Sequence, residues 1–439
     1  MNIIKSNIST EINGGFLDYS MYTLQNRAIP SAIDGFKPSA RKLVYSMLED
    51  YSTKKVKVAE LAGSISKYGF HHGESSAEGA IITLTADWNN NCPVFTGHGN
   101  FGSRLIQESA AARYIFVSLS PEFKRYFIDT DVAPISTNDE NPEPAHYLPT
   151  IPWVLVNGIS GIAVGFACNI LPRSVDSLVS AVKLYLKNPD LFMQKNQPLV
   201  PSFPNFTGKI ASDPENPMAW KTHGVIEYTG KYTYEITELP IGYDRETYVT
   251  LLNDMIEAEK IKNYDDNCSE AGFGFTVKVS AANKEKIDQD PLKYFKLTKS
   301  HTENLTTLGT DGKLKIFNSV CELIQYFCDY RLSKFLTKIK FEEKNLMQEL
   351  LVLKDRVRWV NLVANGSVGF KQHTRDSLLQ LVADKITTAE HGKKFINIPL
   401  YECTQEYIGQ LEEKIIEITA KLDQLKSTTA LSRYVDVLK

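Results

Sequence analysis

The sequence predicts a mixed α/β fold of several domains, and three observations lead to this prediction. The 439 residues are enough for about three domains at roughly 150 residues each. Helical patterns dominate the first part of the chain, and strand-like runs mixed with helices follow. The C-terminal part carries two long heptad patterns. We therefore expect domains over residues 1–149, 150–318 and 319–439.

The first domain contains three short helical patterns with tight connections. They are SARKLVYSMLED (39–50), KVAELAGSISKYG (57–69) and ESSAEGAIITLTADW (74–88). Such a series is typical of a helix-turn-helix unit that precedes wing strands, the winged-helix arrangement of many DNA-binding domains. An ordinary small helical core has the same pattern, so the periodicity alone leaves both interpretations open.

An acidic, proline-rich segment over residues 129–149 bounds this domain, and an α+β pattern follows it. The runs GVIEYTG and YTYEITELP alternate as strands do, whereas RETYVTLLNDMIEAEK is typical of a helix. The second domain, 150–318, is therefore predicted to be α+β.

The C-terminal domain shows the clearest periodicity. A series from Leu332 to Val360, apolar except for Glu343, and a second apolar series from Ile408 to Leu425 recur at spacings of 4 and 3. Two heptad helices separated in this way predict an antiparallel coiled-coil arm with a small globular tip at about residues 365–400. A tip held away from the body is a natural place for dimer contacts.

Composition excludes few classes of function. The chain has 43% apolar and 23% charged residues and a formal net charge of −3, which is no global signature of a nucleic-acid-binding protein. Between Arg27 and Lys67, however, eight Lys or Arg face four Asp or Glu, a local charge of +4. A basic patch of this kind could bind a polyanion, but an ordinary solvent-exposed face has the same local charge.

Three further features bear on the location of the protein. The six cysteines are scattered without a C-x-x-C, and the N-terminus has no apolar core of a signal peptide, so we expect a cytoplasmic protein with reduced thiols. Residues 151–172 carry no charge over 22 positions. Prolines and glycines interrupt them, and VLVNG followed by GIAVGFA predicts two buried strands around a turn rather than a membrane helix.

The stretch GHGNFGSRLIQESAAARYIF, residues 97–116, joins a glycine-rich loop to the adjacent pair Arg113 and Tyr114. Glycines allow close approach to a backbone such as that of DNA. A tyrosine with its pKa near 10 is a poor nucleophile without help, and an arginine can stabilise the charge of a phosphorane-like transition state. Taken alone, however, an Arg-Tyr pair is more often a buried tyrosine beside a surface arginine.

Other motifs limit the chemistry. The adjacent histidines of HHGE (71–74) are not spaced like zinc ligands, although one imidazole could face a phosphate. A Walker A sequence is absent, and so is an acidic set for magnesium. If this chain cuts phosphodiesters with the help of a metal, the metal ligands are therefore missing from it.

Together these stretches resemble type IIA DNA topoisomerases in their cleavage–reunion, gyrase A-like portion. The likeness lies in four ordered motifs and in the coiled-coil arm, and covers nearly the whole chain. The motifs are NRAIPSAIDGFKPSARKLVYSM (26–47), YGFHHGESS (68–76), GHGNFGSR with AAARYIF (97–104 and 110–116), and LPTIPWVLVNGISGIAVGFACNILP (148–172).

The resemblance implies roles for individual residues. Tyr114 would be the nucleophile that forms a 5′-phosphotyrosine link to DNA, Arg113 would stabilise the scissile phosphate, and His72 and Arg27 would be further active-site contacts. Ile170 would be the apolar wedge that bends the duplex. Four cations would hold the DNA backbone: Lys37, Arg41, Lys42 and Lys67.

The resemblance also implies the partners of the chain and its α+β tower-like second domain. The chain is similar to the separate cleavage subunit of phage enzymes. In a phage, such a subunit would act in the cytoplasm of the host cell. A homodimer of this chain would bind double-stranded DNA, and Mg²⁺ and ATP would be bound by TOPRIM and ATPase partner chains. Where bacterial members have a histidine, this chain has Ala40, and it ends at the arm without a DNA-wrapping domain, so we expect relaxation and decatenation of DNA rather than negative supercoiling. The alternative is a non-catalytic, architectural DNA-binding role.

Overall fold

The computed structural model describes residues 7–136, 142–369, 373–386 and 392–438. Apart from the last two residues, the chain divides into two compact units, Met1–Tyr330 and Arg331–Val437. The first two predicted domains both fall within the first unit. Their boundary near residue 149 stays a prediction.

The three predicted N-terminal helices are confirmed. The helices of this segment are α1 (Ile8–Glu11), α2 (Leu17–Thr23), α3 (Pro38–Asp50), α4 (Val58–Ser64), α5 (Glu74–Thr85) and α6 (Pro121–Tyr126). Helix α3 begins at a proline, whose fixed φ suits a first helical position, and buries Leu43, Val44 and Met47 on one face. A 3₁₀ turn, Ile65–Tyr68, extends α4.

Three short antiparallel strands accompany these helices. Strand β1 (Val56–Lys57) lies between α3 and α4, and β2 (Phe95–His98) and β3 (Phe116–Leu119) follow α5; β3 lies in the middle of the sheet. Three helices with a small antiparallel sheet are the arrangement that the helix-turn-helix interpretation expects.

The uncharged segment 151–172 forms a short helix and a hairpin. Helix α7 (Trp153–Val156) precedes strands β4 (Ile159–Ile162) and β5 (Ala167–Ile170), so the prediction of a strand at VLV was wrong. Among the described residues, no helix is long and apolar enough to cross a membrane.

The remainder of the first unit is α+β, as predicted. Its helices are α8 (Val175–Lys187), α9 (Pro189–Lys195), α10 (Arg245–Glu257), α11 (Ala281–Gln289) and α12 (Pro291–Tyr294). Its strands are β6 (Lys209–Asp213), β7 (Asn216–His223), β8 (Val225–Gly230), β9 (Thr233–Glu238), β10 (Asn263–Asp266), β11 (Phe275–Lys278), β12 (Thr298–Thr302), β13 (Thr306–Leu308) and β14 (Leu314–Ile316).

These strands form small antiparallel sheets with the orders β10-β11-β9-β8, β12-β7-β6 and β13-β14. Helix α10 packs on the four-stranded sheet, and its Tyr248 and Leu252 share a core with Ile236 and Val277. Asp244 caps this helix by accepting a hydrogen bond from the Thr247 amide.

The second unit pairs long helices that run in opposite directions. Its elements are α13 (Val320–Ala364), which also contributes to the first unit, α14 (Arg375–Lys385), α15 (Gly392–Ile396), α16 (Gln405–Ser427) and α17 (Ala430–Val437). Arg433 pairs with Glu342 near one end of α13, and the Arg356 guanidinium lies 5.5 Å from the Tyr407 ring centre near the other. The Leu336 side chain, predicted in the seam, is 47% exposed, and Phe335 is buried instead.

The predicted tip, residues 365–400, contains a small apolar core. Trp359, Val368, Val382, Ile386 and Phe395 pack together there. Residues 370–372 and 387–391 of this segment lie outside the described residues.

Candidate functional site

The glycine-rich loop between β2 and β3 is folded onto itself. Gly99 has φ of +116°, and a Cβ there would meet Cγ2 of Ile115 at 2.7 Å. Gly102 has φ of +81°, and its Cβ would lie 2.7 Å from the Gln107 carbonyl oxygen. The Asn100 side chain accepts a hydrogen bond from the Gly102 amide at 2.8 Å. At these two positions the loop's own packing requires glycine.

The end of this loop presents Tyr114 to solvent. The tyrosine side chain is 71% exposed, whereas the next residue, Ile115, is 1% exposed. The carbonyl oxygens of Ala112 and Ile115 accept hydrogen bonds from the amides of Ala59 and Val58, in the first turn of α4. The free amides of a helix N-terminus thus hold the backbone on both sides of Tyr114.

Arg113 lies next to the exposed phenol. Its guanidinium carbon is 5.8 Å from the centre of the Tyr114 ring. The pair is therefore not a buried tyrosine beside a surface arginine. A cation thus lies over the ring of an exposed tyrosine on a turn that α4 holds in place, a starting arrangement that suits nucleophilic attack on a phosphate.

Five other predicted site residues line one cleft in the same unit. Arg27, Lys37 and His72 line this cavity of about 740 Å³ together with Lys42 and Ile170. Arg27 comes from the helical turn Leu24–Ala28, and the His72 ring packs edge-on against Phe70 with 5.3 Å between ring centres. Arg113 and Tyr114 are not among the residues that line this cleft.

Lys37 is held at one wall of the cleft. Its Nζ donates a hydrogen bond to the Ser160 carbonyl oxygen at 2.8 Å. Burial lowers the pKa of Lys37, and the nearby Cys168 thiol opposes this shift.

Arg41 and Lys42, which are predicted to bind the DNA backbone, are both buried and both held in ion pairs, although Lys42 also lines the cleft. The Arg41 guanidinium donates to both carboxylate oxygens of Asp34, at 2.9 and 3.1 Å. Lys42 pairs with Glu143 at 2.8 Å, and the two side chains are 6% and 5% exposed. The acidic segment after α6 therefore neutralises Lys42, and both cations fix internal structure.

We expect the exchange of Lys42 for methionine to lower the free energy of unfolding by about 3–5 kcal/mol, because Glu143 would keep an uncompensated buried charge. Urea unfolding measures this loss. The double variant Lys42→Met/Glu143→Leu should recover most of it, since an apolar pair can replace a buried ion pair.

In the same double variant, the slope of log K for DNA binding against log salt concentration should equal that of the wild type. A lost phosphate contact would instead reduce the slope by about 0.9. Such a reduction would show that Lys42 contacts the DNA backbone after all.

Lys67 remains at the surface, with its side chain 52% exposed and its Nζ 2.8 Å from Asp50. The hydrogen bond with Asp50 raises the pKa of Lys67 and lowers the pKa of Asp50. The role of Lys67 at the DNA backbone stays a prediction.

Ile170 is also buried, which does not favour its predicted role as a wedge in this conformation. Its side chain is 2% exposed and lies at the base of the β4–β5 hairpin, paired with Ile159. Ile162, at the tip of the same hairpin, is 87% exposed. Ile162 was not among the predicted site residues, although it stands just before the turn that Gly165 closes with φ of +75°.

The location of the magnesium ion on a partner chain stays a prediction. Within them, no group of three or more His, Cys, Asp or Glu side chains could hold a metal. The buried carboxylates of Asp34 and Glu143 are already neutralised by Arg41 and Lys42.

Known proteins are similar in sequence to this chain over nearly its whole length. A family model that describes the A subunits of DNA gyrase and topoisomerase IV matches residues 27–439. The chain is 33% identical to the DNA topoisomerase medium subunit of Enterobacteria phage T4, over 100% of this chain and 99% of that protein. It is 31% identical to a mitochondrial DNA topoisomerase 2 of Dictyostelium discoideum, over 95% of this chain but only 33% of the relative.

A solved structure has the same architecture over nearly the whole chain. The crystal structure of the Plasmodium falciparum topoisomerase II DNA-binding, cleavage and re-ligation domain matches with a TM-score of 0.86 and 25% identity. The match covers 97% of this chain and 63% of that one.

Proposed function

Because the chain belongs to the family of DNA gyrase and topoisomerase IV A subunits, we propose that it cleaves and rejoins double-stranded DNA as one component of an ATP-dependent type IIA topoisomerase. The observation that carries this proposal is the exposed Tyr114 beside Arg113 on a turn that α4 holds in place. The products of the reaction are relaxed and decatenated DNA.

The covalent step is a transesterification. The Tyr114 phenolic oxygen forms a bond to phosphorus and gives up its proton, while the bond from phosphorus to the 3′ oxygen breaks and that oxygen takes up a proton. The product is a 5′-phosphotyrosine and a free 3′-hydroxyl. Because one phosphodiester replaces another, religation is the reverse of this step and needs no energy source.

Cations at the site stabilise the charge that develops on the phosphorane-like transition state. Arg113 is placed for this role beside the nucleophile. Arg27 and His72 line the cleft, where they are available to a DNA backbone that follows its wall. Lys37 and Lys67 are the remaining candidates for backbone contacts.

Mg²⁺ and ATP are proposed to come with partner chains. A bound metal ion is a common means of stabilising charge on a transferring phosphoryl group, and no group of three or more His, Cys, Asp or Glu side chains that could hold one was found among the described residues. We therefore place the metal on a TOPRIM-bearing partner and ATP hydrolysis on an ATPase-bearing partner, within a hetero-oligomer.

The helices and strands fit specific roles within such an enzyme. Helices α3–α5 with strands β1–β3 are proposed as the winged-helix DNA-binding element, and the following α+β region as the tower-like domain. Helices α13 and α16 form an antiparallel coiled-coil arm whose tip, about residues 365–400, joins two copies of this chain in a homodimer. Ile162, in place of Ile170, is the wedge that enters the DNA stack.

The test is to identify the residue that carries DNA. The full chain, reconstituted with its ATPase and TOPRIM partners, is mixed with supercoiled DNA and Mg²⁺ and stopped with denaturant. After nuclease and protease digestion, mass spectrometry should find a nucleotide on the peptide that contains Tyr114. An adduct on another tyrosine would reject the site, and DNA binding without any adduct would favour the architectural alternative.

A further inference from the structure

The hairpin that carries Ile162 is packed on the helical turn that carries Arg27. Cys168 of β5 shares a buried cluster with Leu24 and Ala28 of that turn, and Ala163 packs against the same cluster. Ala28 is 5% exposed and directly follows Arg27 in the chain. A buried apolar contact thus connects the hairpin of Ile162 to the turn of Arg27.

Two backbone contacts tighten this junction immediately before the wedge. The Ser160 carbonyl oxygen accepts the hydrogen bond from Lys37 Nζ at 2.8 Å. At Gly161, a Cβ would overlap the carbonyl oxygen of Ala28 and would lie 3.3 Å from Lys37 Nζ. Residues 160 and 161, directly before Ile162, therefore contact Lys37 and the backbone of Ala28.

The base of the hairpin is fixed to the body of the first unit. Asn169 and Asn304 exchange backbone hydrogen bonds, each at 2.9 Å. The Leu171 amide donates to Glu303, which is held by a buried ion pair with Arg173 at 2.6 Å. With its base fixed, the hairpin meets the Arg27 turn and Lys37 through Ser160, Gly161, Ala163 and Cys168.

We infer that Ser160 and Gly161 are positioning residues that couple insertion of the Ile162 wedge into DNA to the placement of Arg27 and Lys37 in the cleft. Bending of the duplex would press the hairpin onto Ala28 and Lys37, so that the two cations reach their working positions only on bent DNA. This inference rests on the proposed function and gives the enzyme a way to cleave bent DNA in preference to straight DNA.

The test separates bending from its transmission. Gly161→Ala and Ile162→Ala are each reconstituted with the partner chains and given a straight duplex or one pre-kinked by a mismatch at the bend. Fluorescence energy transfer between the DNA ends measures the bend, and a single-turnover assay measures the covalent adduct.

Ile162→Ala should lose the bend and the cleavage of straight DNA, and should recover cleavage on the pre-kinked duplex. Gly161→Ala should bind and bend DNA as the wild type does, but should cleave both duplexes about a hundredfold more slowly, since small misplacements of catalytic groups have effects of that size. Normal cleavage by Gly161→Ala, or its rescue by the pre-kinked duplex, would overturn the inference.

Two further variants guard against a folding defect. Cys168→Ala removes only one sulfur atom from the junction and should give a smaller loss on both duplexes, and cleavage at the wild-type rate by this variant would count against the coupling. Gly409→Ala, on α16 with no atom within 4 Å of the added Cβ, is the control and should match the wild type. Failure of the coupling leaves the adduct on Tyr114, whereas failure of the proposed function removes the adduct from Tyr114 in the wild type.

Discussion

Replacement of Tyr114 by phenylalanine is expected to abolish the covalent protein–DNA adduct and to lower the rate of cleavage by about 10⁴–10⁶-fold, the range seen when an enzyme loses a nucleophile or its close partner. The substitution removes only the hydroxyl, which is the group that attacks phosphorus. Quantification of denaturant-stable adduct in single-turnover reactions, with the partner chains present, measures the loss.

Because of the location of Tyr114, its replacement should leave the folding of the protein unchanged. Its side chain is 71% exposed, so the free energy of unfolding should change by no more than about 0.5 kcal/mol. The turn is held by backbone hydrogen bonds from α4, which do not involve the phenol. DNA affinity should therefore stay close to that of the wild type while the adduct disappears.

Tyr19→Phe is the matched control. The Tyr19 side chain is 58% exposed and does not line the cleft, so its variant should form adduct at the wild-type rate. If Tyr114→Phe still forms adduct, or if the control loses it equally, the assignment of the nucleophile is wrong.

Local structure was predictable where the signal lies within one segment of chain. Helix α3 follows from the apolar spacing of Leu43, Val44 and Met47 and from the proline at its start. The exposure of Tyr114 was not predictable in this way. It depends on hydrogen bonds between its turn and α4, which a pattern in residues 97–116 does not contain.

Charge at the site was harder to predict than secondary structure. Lys42 belongs to a basic run whose local charge of +4 suggests a polyanion. The partner that neutralises it, Glu143, comes from a proline-rich segment far along the chain. A count of charges within a window does not include ion pairs that only the tertiary fold creates.

The hairpin shows a different limit, which is the choice between two turns. Gly158 and Gly165 both have positive φ, at +65° and +75°. Either glycine could close a hairpin, and the sequence-based prediction placed the turn at the first. The second closes the β4–β5 hairpin, with Ile170 at its buried base and Ile162 at its exposed tip, whereas the choice of Ile170 as the wedge rested on the resemblance and not on either turn.

Because Ile170 is buried and Ile162 is exposed, the same substitution should affect stability very differently at the two positions. Ile170→Ala removes a side chain that is 2% exposed, and should lower the free energy of unfolding by about 2–5 kcal/mol. Ile162→Ala removes a side chain that is 87% exposed, and should change it by no more than about 0.5 kcal/mol. Urea unfolding of the two variants compares them directly.

For DNA bending and cleavage, the larger effect should come from Ile162→Ala and the smaller from Ile170→Ala. Without the wedge at Ile162, DNA bending should be lost and cleavage of a straight duplex should fall by about 10–100-fold, because an inserted apolar side chain offsets unstacking costs of a few kcal/mol. Ile170→Ala, assayed at a temperature where it remains folded, should bend DNA normally, because its side chain does not reach the tip. If Ile170→Ala lost the bend and Ile162→Ala kept it, the wedge would belong at the base of the hairpin, and the hairpin would have to open on DNA to expose it.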